Sequence, residues 1–373
     1  MQGLEKVEHI YQNRDERIRE LKAAGKKVIG YLCYFAPPEM ITAAGMVPYR
    51  ILGRMDENIT DADSYLESFG CPYVRNCFDQ SLKGHYDFLD GLLISHSCDI
   101  VQRAFGMWQN QLNYPYAYLF NVPHTVQEWT IDFFKRELTF YKESLEEFSG
   151  NKITEDGLKE AIHLHNETRS MMRKLYEMRA EDEARITGAE ILKTLIAGMS
   201  IPAEEFRTLL QEVLEEVEKR PSAVAGGTRV MLWGSIVDDV KLVEMIERQG
   251  MHIVTDDTCI GTRCFNMDVP ESDDVMAALS LRYFEKFNCP RTYRGSDMNR
   301  YQYLKKMAEM YRIKGVIGYI LAFCDVHNAD YPDVRDMLEQ EGYSVLLLRD
   351  DYTLSNHEAV STRLESFSEM LQV

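Results

Sequence analysis

The chain has no dense basic cluster, no long apolar run and no Cys-x-x-Cys pair. Each absence excludes a class of protein. Its 42 Lys+Arg stand against 60 Asp+Glu, a net charge of −18. A field of that sign repels nucleic acid and anionic lipid unless a local basic patch offsets it, so neither partner is expected. No apolar stretch reaches the roughly 18 residues that a membrane-spanning helix requires. The opening segment, MQGLEKVEHIYQNRDERIRE, is a polar helical pattern without the apolar core of a signal peptide, and a cytoplasmic location is expected. A Walker A sequence is absent, and TRVMLWGS lacks the full G-x-G-x-x-G. Neither ATP hydrolysis by that route nor a dinucleotide fingerprint is expected. At 45% hydrophobic and 27% charged residues the chain is of ordinary globular composition, which excludes disorder.

What is present is an alternation. A helix is predicted from Leu4 to Ala24. KKVIGYLC, MVPYRIL, LDGLLIS and YPYAYLF then read as strands, separated by helical patterns such as PPEMITAAG. Strands alternating with helices indicate βαβ units and a parallel sheet. From about residue 126 the strand signal disappears, and VQEWTIDFFKRELTFYKESLEEF, EDGLKEAIHLHNETRSMMRKLYEMRA and PAEEFRTLLQEVLEEVEKR carry helical periodicity. The stripe Met171, Met172, Leu175 and Met178 reads as core packing. After PSAVAGGT, which reads as a linker, TRVMLWGS, MHIVTDD, IKGVIGYIL and GYSVLLLRD resume the strands. The expected fold is α/β, with two Rossmann-like parallel-sheet domains at 1–125 and 223–373 and a helical subdomain at 126–222 between them.

Eight cysteines are the chemically informative residues. In a long chain without a signal peptide they are expected to be reduced. Cys33, inside the apolar run VIGYLCYF, reads as a core residue. The two halves contain an echo: LDGLLISHSCD ends on Cys98-Asp99, and IKGVIGYILAFCD ends on Cys324-Asp325. Ligands of open α/β sheets bind beyond the carboxyl ends of strands, and each half presents a cysteine there. Cys71 precedes Pro72, so it is expected at the N-cap of a helix, at the positive end of its dipole. Zinc and iron–sulfur clusters both take such thiolates. The spacings of Cys71 to Cys77 and of Cys259 to Cys264 do not form a zinc knuckle, and the compact ferredoxin runs are absent. A dispersed set held by the tertiary fold remains, with a catalytic thiol as the competing reading. Asp256-Asp257 reads as a loop acid pair, and His96 and His327 as hydrogen-bonded loop residues.

Taken together, GYLCYFAPPEMITAAGMVPYRI, SFGCPYVRNCFDQSLKGHYDFLDGLLISHSCD, DDTCIGTRCFNMDVP, KGVIGYILAFCDVHNADYP and LLLRDDYTLSNHEAVSTRLESFSEM resemble the 2-hydroxyacyl-CoA dehydratase and benzoyl-CoA reductase family. The resemblance runs in order along nearly the whole chain. It implies that Cys71, Cys98 and Cys324 hold one [4Fe–4S] cluster whose fourth coordination site is not a cysteine. It also implies an enzyme, a dehydratase subunit that removes water from a 2-hydroxyacyl-CoA by a ketyl-radical mechanism. Its partners would be a homologous second subunit (or a second copy of itself) and a separate ATP-dependent iron–sulfur activator. Glu39, in the Pro-Glu element, is the catalytic candidate, a polar group near substrate or cluster. Arg263, in the Gly-Thr-Arg element, is a candidate for CoA phosphate or for a structural ion pair. Cys259, Cys264 and Cys289 are candidate further ligands. With them the resemblance extends to reductases that carry an [8Fe–9S] double-cubane cluster, and to a non-catalytic electron-transfer protein of the same fold.

Overall fold

The computed structural model describes residues 2–224, 226–294, 298–353 and 357–372. It opens on α1 (Gly3–Gln12) and α2 (Glu16–Ala23), where the sequence pattern predicts one helix. The break has a cause. Arg14 turns inward and donates to the Arg50 carbonyl at 2.8 Å and to Ser200 Oγ at 3.0 Å.

The first sheet follows as β1 (Val28–Tyr31), α3 (Pro38–Ala43), β2 (Val47–Arg50), α4 (Pro72–Leu82), β3 (Gly91–Ser95), α5 (Asp99–Gln111) and β4 (Tyr116–Phe120). Its strands are all parallel, in the order β2-β1-β3-β4. Strands β1, β2 and β3 are buried at every position, as expected where helices cover both faces.

A helical stretch comes next: α6 (Glu128–Ser149), α7 (Glu155–Arg179), α8 (Gly188–Gly198) and α9 (Ala203–Lys219). Helix α8 escapes the periodicity reading because it is buried almost all round, which blurs the one-sided apolar stripe of a surface helix. Its start is nevertheless written in the sequence. Thr187 and Glu190 form a capping box, with Glu190 N–H donating to Thr187 Oγ1 and Thr187 N–H donating to the Glu190 carboxylate. Helix α1 packs on α8 and α9, with Lys6 Nζ 2.7 Å from Glu212.

The second sheet is built from β5 (Thr228–Gly234), α10 (Val240–Arg248), β6 (Met251–Asp257), α11 (Val275–Ser280), α12 (Met298–Met310), β7 (Gly315–Leu321), α13 (Asp325–Gln340), β8 (Ser344–Asp350) and α14 (His357–Gln372). It is also parallel, in the order β6-β5-β7-β8. The fold is thus α/β, with two four-stranded parallel sheets and helices between them. The two sheets are wound identically. In each, the second strand lies outside the first, and the third and fourth lie on its other side. The order therefore reverses between β1 and β3 and again between β5 and β7, and crevices at such points receive ligands. The main core runs through both sheets, from Leu92 and Ile94 to Leu232 and Ile317. Gly234 closes β5 with φ +139°, and a Cβ there would lie 2.0 Å from the Tyr319 carbonyl oxygen. Only glycine permits that approach of β5 to β7. Among the described residues no helix is long and apolar enough to cross a membrane.

Candidate metal centre

Helix starts deliver the first three thiols. Cys71, Cys98 and Cys324 are the N-cap residues of α4, α5 and α13. The unpaired N–H groups of a first helical turn favour an anion. Those of Val74 and Tyr73 face Cys71, that of Val101 faces Cys98 and that of His327 faces Cys324. Burial outweighs them. It raises the Cys71 thiol, pushes Cys98 up to about 12 and lifts Cys324 well above the usual thiol range. Neighbouring thiols add to the rise: Cys71 acts on Cys98, and Cys71 and Cys98 both act on Cys324. The three thiols therefore act on one another electrostatically.

A second triad stands beside them. Burial pushes Cys259 up to about 12, with Cys289 and Cys33 adding to the rise, and Cys33 also raises Cys289. The two sets are coupled electrostatically, since Cys33 and Cys289 act on Cys98 while Cys259 acts on Cys324. Cys33 packs, half-buried, against the apolar core of the first half, as its core reading expects, and its thiol also acts on those of Cys98, Cys259 and Cys289. It lies two residues beyond β1, at the point where the strand order of the first sheet reverses. Cys264, expected as a further ligand, is 3% exposed and directs its thiol at the Cys259 carbonyl, 3.5 Å away. It acts on Tyr31, Tyr34, Arg50 and Tyr176. Cys77 is fully buried core.

Cys289 reaches the first sheet because Arg291 carries it there. The Arg291 guanidinium donates to the carbonyls of His96 at 2.7 Å, Ser97 at 3.1 Å and Val122 at 2.5 Å, and also to that of Pro123. A parallel bridge between Thr125 and Tyr293 continues the seam. His96 takes part through its backbone carbonyl.

Cations line the cleft. Arg263, 1% exposed, is forked onto Asp257 at 2.8 and 2.9 Å, and its Nη1 lies 3.7 Å from Cys259 Sγ. This is the structural ion pair, and a side chain so enclosed does not reach for CoA phosphate. Asp256 and Asp257 are likewise buried: Asp256 meets the Tyr176 hydroxyl, the Thr262 N–H at 2.8 Å and Arg179 at 3.4 Å. Arg50, at the end of β2, is 3% exposed and its Nε and Nη1 have no partner. Cys33 and Cys264 are among the groups that raise it. A buried guanidinium with idle donors beside free thiols fits an anionic group bound between them. All eight cysteines are free. Among the described residues no three His, Cys, Asp or Glu side chains converge on one point as the ligands of a single metal ion would. In a cubane each cysteine takes a different iron, so its thiols stand apart, and separate free thiols are the donors it requires.

Glu39 lies outside this cleft constellation. It is fully buried on α3, ion-paired with Arg169 and bonded by the Tyr283 hydroxyl at 2.7 and 3.0 Å. Burial raises its proton affinity, but Arg169 and then His165 more than reverse this and hold it at about 2. A solvent-exposed helix acid is excluded. Sequence reasoning missed Arg50 and Arg291, which are buried and aimed into the protein. The strand-end rule that singled out Cys98 also marks Cys33.

The molecule is defined by two like-wound parallel sheets, with Cys98 and Cys324 each three residues beyond the carboxyl end of a third strand, β3 and β7. The chain belongs to the family described as 2-hydroxyglutaryl-CoA dehydratase, D-component, whose model matches residues 33–371. It is 29% identical to a benzoyl-CoA reductase subunit of Thauera aromatica over 89% of this chain and 88% of that one. It is 27% identical to the (R)-phenyllactyl-CoA dehydratase beta subunit of Clostridium sporogenes, over 95% and 94% of the two chains. It is 24% identical to the beta subunit of (R)-2-hydroxyglutaryl-CoA dehydratase of Acidaminococcus fermentans, over 99% and 98%. It is therefore homologous to subunits of acyl-CoA dehydratases and of a benzoyl-CoA reductase.

Proposed function

We propose that this chain is an iron–sulfur reductase component of the family, with a double-cubane cluster held by Cys71, Cys98 and Cys324 on one side and by Cys33, Cys259 and Cys289 on the other. The observation that carries this reading is the electrostatic coupling of Cys33, Cys259 and Cys289 to the thiols of Cys98 and Cys324. A single cubane with an open iron needs only the first triad. When bound, the cluster would supply electrons at a potential set by burial, charge and hydrogen bonds to sulfur. The chain's own residues do the rest. N-terminal turns of α4, α5 and α13 face the first triad with N–H groups. Arg263 and Arg50 set positive charge beside the second. Cys71 is buried and the other five thiol-bearing residues are half-buried, which limits their contact with bulk water. With no nucleotide motif of its own, the chain would take its electrons from a separate ATP-dependent activator, and it would act on acyl-CoA or another small molecule.

A second reading is the dehydratase subunit, with one [4Fe–4S] cluster on Cys71, Cys98 and Cys324 and a homologous partner subunit. It is supported by the match along almost the full length of dehydratase beta subunits. Iron and sulfide analysis of anaerobically purified protein decides between them. About eight irons per chain supports the double cubane, about four supports the dehydratase subunit, and none rejects both.

A further inference from the structure

Behind the second triad lies a buried chain of hydrogen bonds that ends on two of the proposed ligands. Asp257, at the end of β6, anchors it. Its carboxylate accepts from Arg263 Nε and Nη2 at 2.8 and 2.9 Å, its carbonyl accepts from Nη2 at 2.9 Å, and Asn288 adds a donor at 3.2 Å. Arg263 then has one nitrogen left to use. Nη1 faces the Gly234 carbonyl at 3.3 Å, Cys259 Sγ at 3.7 Å and His327 Nε2 at 3.0 Å.

A guanidinium only donates. His327 Nε2 must therefore offer its lone pair, which leaves the imidazole proton on Nδ1. Nδ1 lies 3.3 Å from Cys324 Sγ. The tautomer set by Arg263 thus aims an N–H at the sulfur of Cys324. The ring has little freedom to do otherwise, because His327 is 3% exposed and the Trp233 ring meets it edge-on at 5.8 Å.

We infer that Arg263 and His327 form a positioning relay that places hydrogen bonds on Cys259 and Cys324 and so raises the reduction potential of the cluster bound there. The inference rests on the proposal that these thiols bind an iron–sulfur cluster. A hydrogen bond to a ligating sulfur draws off negative charge and favours the reduced cluster, which carries one more electron. In the first half the thiols of Cys71 and Cys98 face backbone N–H groups, so this side-chain control belongs to the second half of the molecule.

Two amide variants divide the imidazole between them. His327→Gln keeps an acceptor facing Arg263 and loses the Nδ1–H donor. His327→Asn places an amide N–H near the Nδ1 position and so keeps the donor. Anaerobically reconstituted wild type and variants are titrated with dithionite through redox dyes, the reduced cluster is followed by electron paramagnetic resonance, and iron is counted in each. His327→Gln is expected to move the ratio of reduced to oxidised cluster at a fixed potential about tenfold toward oxidised, which is about 59 mV for one electron. His327→Asn is expected to recover most of that shift. Variants that bind iron but both titrate as wild type overturn the relay, as do two variants shifted equally. Wild type that binds no iron overturns the proposed function and the relay together.

Discussion

The two halves of the molecule wind four strands in one order, yet they treat the carboxylate after their first strand in opposite ways. After β1 the chain buries Glu39, and after β5 it buries Asp238. Glu39 meets a cation, Arg169, and is held ionised at about 2. Asp238 accepts from the Tyr352 hydroxyl at 2.6 Å and the Gly53 N–H at 3.3 Å, and its Oδ1 has no partner. Burial pushes it up to about 6, and the distant charge of Arg14 offsets little of that. The same topology therefore fixes where a residue lies but not what charge it carries. The charge follows from the partner that tertiary packing brings.

The thiols repeat this lesson and give the largest expected effect. At the reversal of strand order the first sheet presents Cys33 and Cys98, whereas the second presents Ser235 and Cys324. Ser235 Oγ is tied into the backbone, accepting from the Leu321 N–H at 3.1 Å. If Cys33 is a ligand, Cys33→Ser should remove about half or more of the bound iron, and Cys289→Ser should do the same. Cys77→Ser and Cys264→Ser should leave iron content unchanged. Full iron in Cys33→Ser would return Cys33 to the core, and full iron in Cys289→Ser as well would leave the first triad to hold the cluster.

Next in size is the Glu39 pair. Arg169→Ala leaves a buried carboxylate without its cation, which should cost about 3–5 kcal/mol in denaturant unfolding. Replacing both partners, as Glu39→Gln with Arg169→Met, should recover most of it. The wild-type pair also predicts a pH window. Glu39 is depressed relative to its unfolded value, so its contribution is present above about pH 4.5 and is lost as pH falls toward about 2.

Asp238 predicts the opposite sign. Folded protein keeps its proton up to about pH 6, whereas the unfolded chain releases it near pH 4, so stability falls as pH rises between the two. Asp238→Asn removes the titration while its amide oxygen still accepts from Tyr352. The variant should gain about 2 kcal/mol on wild type between about pH 4 and pH 7, read as the difference of two unfolding series. A difference that does not change with pH would make the two carboxylates alike and break the comparison.

Much of this was legible in sequence, and the exceptions have physical causes. Alternating apolar runs fixed the strands because parallel strands are buried on both faces. The N-cap positions of Cys71, Cys98 and Cys324 followed from Pro72 and from strands ending in Cys-Asp. Cys33 was hidden by its apolar neighbours. The pairing of β1 with both β2 and β3 puts it near the point where the strand order reverses. Arg263 and Asp257 are close in the chain, but Arg169 and Glu39 are 130 residues apart, and no local pattern announces such a partner. Arg291 is further hidden because its partners are backbone carbonyls, which carry no sequence signature.

The smallest effect concerns the residue before each strand-end cysteine. Ser97 precedes Cys98, whereas Phe323 precedes Cys324 with φ +59° and 51% exposure. A non-glycine residue in the left-handed region costs about 1 kcal/mol. Glycine removes that cost but gives the unfolded chain more freedom, which opposes the gain. Phe323→Gly should therefore change stability by less than about 1 kcal/mol. Because the backbone turn and not the exposed ring presents Cys324 to the cleft, iron content should be unchanged. Phe323→Val retains the strain and adds a β-branch, which this region tolerates poorly, so it should be less stable than Phe323→Gly. Equal stability of the two variants, measured by thermal unfolding, would show that the second half holds its cysteine by a turn as relaxed as the first.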